Sequence, residues 1–348
     1  MKNLTVNLKD RSYEIITEKG ILKDVKSFID SKKRVFVISN KTVFDLYGKY
    51  FDGYKVLLMG DGEKYKNFET YKTLCEKLLS LGIQRTDLIV AFGGGVVGDM
   101  AGFVASTCLR GIDLIQIPTT LLAQVDSSVG GKTGIDTDFG KNLIGTFYQP
   151  RKVIIDPEVL STLPERQIKT GLAEVLKYAF IEKNCNVDES ELFFDLLNNP
   201  FFEENYDEII YRCCKMKASV VEQDEKEGGL RAILNFGHTI AHAIEKITNY
   251  EIYTHGEAVA IGMKSILKLA LLTNNIDKEY YEYGISFLEK LNLNIELDKK
   301  YDKDEIVKAL QNDKKVKYGK LNFVMPKSIG FVELIQNIDE LLIKESLP

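Results

Sequence analysis

The feature that most constrains the fold is an alternation of short apolar runs with amphipathic segments over residues 1–155. Continuous apolar runs are typical of strands that are buried on both faces of a parallel sheet. Between them, apolar residues such as Phe68, Tyr71, Cys75 and Leu78 recur at helical spacing. The pattern therefore predicts an α/β fold, in which helices cover a parallel sheet. The expected strands cover residues 34–39, 55–59, 87–92, 114–117 and 153–155.

A glycine-rich segment follows the third expected strand. Gly93, Gly95 and Gly98 fit the spacing G-x-G-x-x-G at the start of a predicted helix. Such a turn lets backbone N–H groups approach a pyrophosphate, although a plain strand-to-helix turn would have the same sequence. The next strand ends in Ile-Pro-Thr-Thr, residues 117–120, and lacks the acidic residue that usually binds a ribose. The segment therefore predicts a nucleotide site of a variant kind.

Three further polar segments are candidate loops. Residues 60–66 follow the second strand, and by themselves they favour a plain turn. Residues 126–133 resemble a P-loop, but Asp126 occupies the position of its first glycine, which disfavours an ATPase or kinase. What remains is a glycine-rich loop with one acid and one lysine, followed by Gly-Lys-Asn at 140–142. These two loops are candidates for holding an anionic substrate, and solvated loops are the alternative.

From residue 156 onward, strand-like runs become rare and periods near 3.6 residues dominate. We therefore predict two domains, 1–155 and 156–348, the second of them mostly helical. A small hairpin is expected at residues 321–325 and 330–334.

All three histidines lie in one short stretch of this second domain. Arg231, Asn235, His238, His242 and Glu245 are spaced four, three, four and three residues apart, which would place them on one helix face. Because Asn-Phe-Gly at 235–237 indicates a helix start, Arg231 is expected just before the helix. A solvated face is the alternative, but such faces are usually rich in Lys and Glu. The spacing differs from H-E-x-x-H, which disfavours a zinc protease.

The residue types favour a metal site. Zinc commonly binds two or three histidines and one carboxylate, and His255 follows the helix closely. Glu174 is a candidate carboxylate, although an ion pair with Lys177, one helical turn away, is the alternative. The spacing leaves open which two histidines would bind the metal.

Composition excludes several functional classes. The net charge of −5 and a pI near 5.5 argue against binding to nucleic acids or anionic membranes. No window approaches about 18 uninterrupted apolar residues, so we expect no membrane span. Residues 1–9 lack an apolar signal core, and the five cysteines are scattered. These features predict a cytoplasmic protein with reduced thiols.

Together these motifs resemble the 3-dehydroquinate synthase family of the sugar-phosphate cyclases. The departures from the family pattern are Asp136, Cys108 and Ala179, none of which is an expected ligand. The matching segments run in order through nearly the whole chain: 60–66, 93–99, 110–112, 118–133, 140–150, 173–178, 234–239, 255–258 and 313–315.

The resemblance implies a Rossmann-like NAD-binding domain, a mostly helical domain that binds metal, and a site in the cleft between them. It implies conversion of 3-deoxy-D-arabino-heptulosonate 7-phosphate to 3-dehydroquinate and phosphate in the shikimate pathway of aromatic amino-acid biosynthesis. The implied steps are transient oxidation by NAD, phosphate elimination, re-reduction and intramolecular aldol closure. The implied metal is Zn²⁺, with Co²⁺ as a substitute, and the implied assembly is a homodimer.

The resemblance also implies roles for single residues. The metal ligands would be Glu174, His238 and His255. The groups assigned to catalysis are His242, Lys132, Asp126, Lys177 and Asn235. Substrate anions would be bound by Arg110, reaching across a dimer interface, and by Lys141, Asn142, Lys217, Arg231 and either Lys314 or Lys315. The NAD contacts would come from Asn40, Asp61, Glu63, Lys66, Gly95, Val96, Val97, Gly98, Asp99, Thr119, Thr120, Lys132 and Lys141.

Three other classes share parts of this pattern. Another sugar-phosphate cyclase, similar to 2-deoxy-scyllo-inosose synthase, would share the fold, NAD and zinc, but Arg231, Asn235 and residues 313–315 favour a carboxylate-bearing substrate. A metal-dependent polyol dehydrogenase would release NADH. A non-enzymatic binding module would leave Glu174 and the histidines without a role.

Overall fold

The computed structural model describes residues 1–187, 189–298, 300–316 and 321–348, and of residues 312–316 it describes the backbone alone. The chain forms two compact units. The first comprises Met1–Pro164 and Asn205–Glu222, and the second comprises Glu165–Glu204 and Gln223–Pro348. The expected domains, 1–155 and 156–348, differ from these units chiefly because residues 205–222 pack with the first one.

The strands and helices are numbered in chain order. The strands are β1 (Lys2–Val6), β2 (Tyr13–Thr17), β3 (Val35–Asn40), β4 (Lys55–Met59), β5 (Leu88–Gly93), β6 (Asp113–Pro118), β7 (Lys132–Thr137), β8 (Gly140–Phe147), β9 (Lys152–Ile155), β10 (Asn322–Ser328) and β11 (Phe331–Gln336). The helices are α1 (Lys41–Tyr47), α2 (Phe68–Ser80), α3 (Gly95–Thr107), α4 (Glu165–Ile181), α5 (Phe193–Asn198), α6 (Tyr206–Gln223), α7 (His238–Ile247), α8 (His255–Leu272), α9 (Lys278–Lys290), α10 (Lys303–Val316) and α11 (Glu340–Ser346).

The first unit is built on a seven-stranded sheet in the order β1-β2-β9-β6-β5-β3-β4. All its pairings are parallel except that of β1 with β2. The Rossmann-like arrangement and the five expected strands are thus confirmed. The sequence pattern missed β1 and β2, because β1 alternates exposed and partly buried residues at the sheet edge instead of forming a continuous apolar run.

Both faces of the central strands are buried, which explains why these strands are continuously apolar. Phe36 and Ile38 of β3 pack into a core that includes residues of α2 and α3. Val37 of β3 and Phe92 of β5 pack into a second core on the opposite face, together with Phe51. At about 25 cal/mol per Å² of apolar surface, burial on both faces supplies the main favourable free energy of this sheet.

A separate hairpin of β7 and β8 corrects part of the loop prediction. Residues 126–133 and 140–142 were expected in polar loops, but Lys132 begins β7 and residues 140–142 begin β8, and the two strands pair antiparallel. Gly134 and Gly145 face each other in the pairing, and the Cβ of an alanine at Gly145 would lie 2.1 Å from the carbonyl oxygen of Thr133. A glycine-rich strand with an exposed face lacks the apolar pattern that identifies a buried strand.

The second unit is mostly helical, as expected. Its central helix, α8, packs against α4, α7, α9 and α11. The predicted hairpin near the C-terminus is present as β10 and β11. Among the described residues, no helix is both long and apolar enough to span a bilayer.

All five cysteines carry free thiols, as the scattered spacing predicts. Cys75 is partly buried and the other four are buried. Burial raises the pKa of Cys185 to about 12, and it has the same effect on the pKa of Cys214. At neutral pH these thiols are protonated and poorly nucleophilic.

Candidate active site

The histidine-bearing helix begins later than the sequence pattern suggests. α7 begins at His238, and Gly237, with φ of 79°, is its N-cap residue. Arg231 and Asn235 lie in a preceding 3₁₀ turn, Leu230–Asn235. Arg231 thus lies before the helix, as expected, whereas the prediction is wrong for Asn235, which also precedes α7; His238, His242 and Glu245 lie on the helix.

Three predicted ligands come together in the second unit. Glu174 of α4, His238 of α7 and His255 of α8 each offer one ligand atom, and these atoms lie within 4.8 Å of one another. Glu174 Oε1 lies 3.2 Å from His238 Nε2 and 3.3 Å from His255 Nε2. We call these three residues the histidine–carboxylate cluster. Two imidazole nitrogens and one carboxylate are the donors that Zn²⁺ prefers, so the cluster fits a divalent metal with an open position.

The charges around the cluster favour ionised groups. Burial by itself would raise the pKa of Glu174, but Lys177 and the histidines hold that pKa well below its usual range. Lys177 forms a buried ion pair with Glu174, so the ion pair considered as an alternative exists beside the histidine contacts. Burial would lower the pKa of His255, but Glu174 and Glu245 outweigh it and raise that pKa to about 10.

The raised pKa of His255 predicts pH-dependent metal binding. A metal must displace the proton from this ring, so affinity should rise with pH by about tenfold per unit between pH 6 and 8. Zn²⁺ competition with a chromophoric chelator would measure this slope. The raised pKa also stabilises the metal-free fold at pH values below 6.5, which is the ordinary pKa of histidine. This contribution to the free energy of unfolding is lost as the pH rises towards 10. A flat affinity profile would contradict the prediction.

α4 and α8 are held together next to the cluster. Thr170 of α4 donates a hydrogen bond to the Oγ1 of Thr254 over 2.7 Å, and Thr254 is the N-cap residue of α8. Arg166 contacts both carboxylate oxygens of Glu257, at 2.8 and 2.7 Å. Gly256 lies directly against the backbone of Thr170. These contacts place His255, at the start of α8, opposite Glu174.

A side chain at Gly256 should disturb this packing. The Cβ of an alanine there would lie 2.2 Å from the carbonyl oxygen of Thr170, so one backbone must move. We expect Gly256→Ala to lower the free energy of unfolding by about 1–3 kcal/mol, and denaturant titration would measure it. At Gly228, in the same unit, the nearest atom lies 3.6 Å away, so Gly228→Ala should change stability little. Equal effects of the two substitutions would contradict the prediction.

Other predicted residues of this unit take different positions. The His242 side chain is exposed, with its ring centroid 5.7 Å from that of His238. Arg231 is buried, and its Nη1 donates to the carbonyl of Glu225 over 2.6 Å. Asp224 accepts from the backbone N–H of Arg231 and so shapes this loop. Lys314 and Lys315 were also expected here, but their side chains lie outside the described residues.

In the first unit, the predicted nucleotide residues lie around one reversal of strand order. β3 continues through α1 to β4 on one side, whereas β5 continues through α3 to β6 on the other. In open α/β sheets, ligands bind at such a switch point beyond the carboxyl ends of the strands. Asn40 ends β3 and caps α1, and Gly95 begins α3 directly after β5.

The glycines after β5 allow close packing between helix and strand. A Cβ at Gly98 would lie 2.9 Å from Oε1 of Gln116 on β6, and one at Gly95 would lie 3.0 Å from Oγ of Ser127. Val96 and Val97 continue the first turn of α3. Thr119 is buried after β6 and donates its backbone N–H to Gly93, and Thr120 follows it.

Charged residues surround this glycine turn. The buried Lys66 amine lies 2.6 Å from Asp99 Oδ2 and 3.7 Å from Glu63, and Lys141 also lies 3.7 Å from Glu63. Burial opposes the charge of Lys66, but Asp99 and Glu63 raise its pKa overall. Burial raises the pKa of Asp136 to about 6. Asp61 is exposed in the adjoining turn.

Lys217 of α6 contacts Asp126, and this is one of the contacts that join residues 205–222 to the first unit. Its amine lies 2.8 Å from Asp126 Oδ2 and donates to the Asp126 carbonyl over 2.7 Å. Lys132 begins β7, and Asn142, with φ of 57°, lies near the start of β8. Arg110 is exposed in a turn with φ of 66°.

The contacts that orient the cluster do not follow from the predicted ligands. Glu245 was expected on the histidine face without a role, although it lies two helical turns after His238, and this spacing was a usable signal. Arg166, Thr254 and Glu257 were not predicted as site residues. The T-H-G-E sequence at 254–257, which forms a capping box, was the available signal for the last two.

Comparison with known proteins covers both units. A family model described as 3-dehydroquinate synthase N-terminal matches residues 56–170, and one described as 3-dehydroquinate synthase C-terminal matches residues 171–316. A 3-dehydroquinate synthase from Clostridium perfringens (strain 13 / Type A) is 48% identical over 343 residues, which are 95% of this chain and 96% of the relative.

Two solved structures share the fold over nearly the whole chain. A 2-deoxy-scyllo-inosose synthase complexed with carbaglucose-6-phosphate, NAD⁺ and Co²⁺ is 31% identical with a TM-score of 0.87, covering 99% of this chain and 98% of that one. The 2-epi-5-epi-valiolone synthase from Streptomyces hygroscopicus subsp. jinggangensis 5008, with NAD⁺ and Zn²⁺ bound, is 25% identical with a TM-score of 0.83, covering 98% and 97%.

Proposed function

The chain belongs to the 3-dehydroquinate synthase family, and we propose on this basis that it is a phosphate-eliminating lyase. Its reaction would convert 3-deoxy-D-arabino-heptulosonate 7-phosphate to 3-dehydroquinate and phosphate in the shikimate pathway. The observation that carries the proposal is the histidine–carboxylate cluster, whose residues come from three separate helices of a chain that matches both family models.

NAD and one divalent metal are the proposed cofactors, with Zn²⁺ the preferred ion and Co²⁺ a substitute. The donor set of Glu174, His238 and His255 supports the metal, and the glycine turn at the switch point supports NAD. When bound, the two cofactors would supply reversible hydride transfer and acidification of a substrate hydroxyl. Both must reach one substrate, because the hydroxyl that is acidified is also the one that is oxidised.

The chain's own residues would bind and orient the substrate. A lysine ammonium binds phosphate as a point charge, and an arginine guanidinium can donate two parallel hydrogen bonds to a carboxylate. We propose these roles for Lys132, Lys141, Asn142, Lys177, Lys217, Arg231, Asn235 and one of Lys314 and Lys315. Asp126 would accept a hydrogen bond from a ring hydroxyl, and the exposed His242 ring would transfer a proton. NAD would contact Asn40, Asp61, Glu63, Lys66, Gly95, Val96, Val97, Gly98, Asp99, Thr119, Thr120, Lys132 and Lys141.

Incubation with the heptulosonate phosphate, Zn²⁺ and a catalytic amount of NAD tests this proposal. Phosphate should be released in excess over NAD, with 3-dehydroquinate formed and no lasting NADH absorbance, because the hydride returns to the product. Absence of phosphate release would refute the proposal. Stoichiometric NADH with a simple polyol would instead support a metal-dependent polyol dehydrogenase.

Another sugar-phosphate cyclase is the second candidate, favoured by the TM-score of 0.87 to 2-deoxy-scyllo-inosose synthase. The identity of 48% to a 3-dehydroquinate synthase, against 31% to this solved structure, argues for the first candidate, whose substrate carries a carboxylate. Turnover of an aldohexose 6-phosphate, which lacks the carboxylate, would therefore favour the second candidate. Turnover of the heptulosonate phosphate alone would exclude it.

We propose a homodimer in the cytoplasm, formed through the exposed face and edge of the β7–β8 hairpin. Phe139 at its tip is 94% exposed, and Leu143, Ile144 and Phe147 are also exposed. Within the described residues, β8 pairs only with β7, so a second copy could extend the hairpin symmetrically. Arg110 lies two residues from Ile112, whose carbonyl accepts from Tyr148 directly after β8, which supports a role for Arg110 in the partner's site.

Light scattering tests the dimer. The wild-type mass should be twice the chain mass of 39.4 kDa, and Leu143→Lys with Ile144→Lys should reduce it to one chain, because charges in a dry interface are costly. Leu79→Lys is the control, since Leu79 is 51% exposed on α2 and belongs to neither strand of the hairpin. A monomeric wild type, or an unchanged mass for the double variant, would contradict the prediction.

A further inference from the structure

A second carboxylate, Glu245, contacts the histidine–carboxylate cluster from outside. It lies on α7, two turns after His238, and only 5% of its surface is exposed. Its Oε1 lies 3.2 Å from His255 Nδ1, while Nε2 of the same ring lies 3.3 Å from Glu174. The imidazole of His255 is therefore held at both nitrogens by carboxylates.

Both histidines of the cluster direct Nε2 towards Glu174, and a different acceptor lies next to Nδ1 in each. His238 Nδ1 lies 3.0 Å from the carbonyl oxygen of Phe236, and its Nε2 faces Glu174. A carbonyl and an ionised carboxylate can only accept hydrogen bonds, so both rings donate from Nδ1. Each Nε2 is thereby directed towards the cluster, where it can bind a metal that displaces its proton.

His255 depends on such a partner more than His238 does. The side chain of His238 is 11% exposed, whereas that of His255 is 32% exposed at the first residue of α8. Packing therefore restricts the His255 ring less. Since α7 carries both His238 and Glu245, one helix supplies one ligand directly and orients the other.

The negative charge of Glu245 also affects the electrostatics of the metal position. The surroundings of the cluster include a fully buried lysine, Lys177, which opposes a bound cation. Glu174 compensates the charge of Lys177 through its ion pair, and Glu245 supplies a further buried negative charge near the metal position. A carboxylate that accepts from a ligating histidine also raises the basicity of that ligand.

We propose that Glu245 is a positioning residue that orients His255 and strengthens metal binding, an inference that rests on the metal in the proposed function. A purely architectural role is the alternative. The backbone carbonyl of Glu245 already accepts from the N–H of Tyr250 and helps to end α7, and this contact does not need the side chain. Substitution of the side chain therefore separates the two roles.

The test compares Glu245→Gln and Glu245→Ala with the wild type in metal affinity, measured by chelator competition without substrate. Glutamine keeps the volume and can accept from Nδ1, but it lacks the charge, so we expect about tenfold weaker Zn²⁺ binding, and about 100-fold weaker binding for alanine. The Co²⁺ absorption spectrum should shift in both variants, since the His255 ligand changes. The unfolding temperature of metal-free Glu245→Gln should stay close to that of the wild type.

Glu182→Gln is the matched control, because Glu182 is buried to the same degree in the same unit but accepts from the N–H of Phe193. It should alter stability and leave metal affinity unchanged. Unchanged affinity in both Glu245 variants would overturn the proposal, as would a wild type that binds no metal. A wild type that binds metal tightly but releases no phosphate would refute the proposed function and leave the role of Glu245 standing.

Discussion

Replacing Glu174 by glutamine is expected to remove metal binding and to destabilise the second unit. The amide is a poor metal ligand, so affinity should fall by more than about 100-fold. The substitution also leaves the buried Lys177 amine without its carboxylate, and breaking a buried pair from one side costs about 3–5 kcal/mol. Metal analysis after dialysis, together with denaturant titration of the metal-free protein, would measure both effects.

Glu165→Gln provides the comparison on the same helix. Glu165 forms an exposed ion pair with Lys169 in the first turn of α4, and solvent screens such pairs so that they contribute little to stability. Metal content and stability should therefore remain close to those of the wild type. A Glu174→Gln variant that retains its metal would show that the histidine–carboxylate cluster is not the metal site.

Replacing His242 by alanine is expected to leave the metal in place and to slow turnover. Its ring is exposed, and it lies outside the group of ligand atoms that meet at Glu174. Proton transfer by a positioned side chain contributes about 10²- to 10⁴-fold to rate, so kcat should fall by that factor. Steady-state phosphate release and metal content of the same preparation would measure the two properties.

The contrast with His238→Ala makes this prediction specific. His238 offers its Nε2 to the cluster from the preceding turn of α7, so its removal should deplete the metal. Partial recovery of His242→Ala by added imidazole would support proton transfer. Depletion of metal in His242→Ala, with retention in His238→Ala, would reverse the ligand assignment.

The sequence predicts those parts of the fold that follow from local periodicity. The central strands could be located because burial on both faces makes them continuously apolar, as for β3 and β5. The hairpin of β7 and β8 could not, because its strands are glycine-rich and β8 is largely exposed. The packing of α6 with the first unit depends on contacts distant in sequence, such as that of Lys217 with Asp126.

The candidate site likewise combines features that local spacing predicts with features that depend on contacts distant in sequence. The histidines of α7 could be grouped by helical spacing. Glu174 could be named only as a candidate carboxylate, because its contact with the histidines depends on the packing of α4 against α8. Arg231 and Asn235 fit the spacing and yet lie outside the helix, because α7 begins only after Gly237. Spacing thus predicts which residues can share a face, while the helix start decides which of them do.

Each unit contains a buried thiol whose alkylation can report on the opening of that unit. Cys185 ends the 3₁₀ turn that follows α4 in the second unit, and Cys214 lies on α6 in the first, each with no exposed surface. Alkylation of either thiol must await local or global opening, because burial both shields the sulfur and disfavours the thiolate. The alkylation rates, resolved by peptide mass, would time the opening of the two units separately. If a bound metal stabilises only the second unit, it should lower the alkylation rate of Cys185 and leave that of Cys214 unchanged.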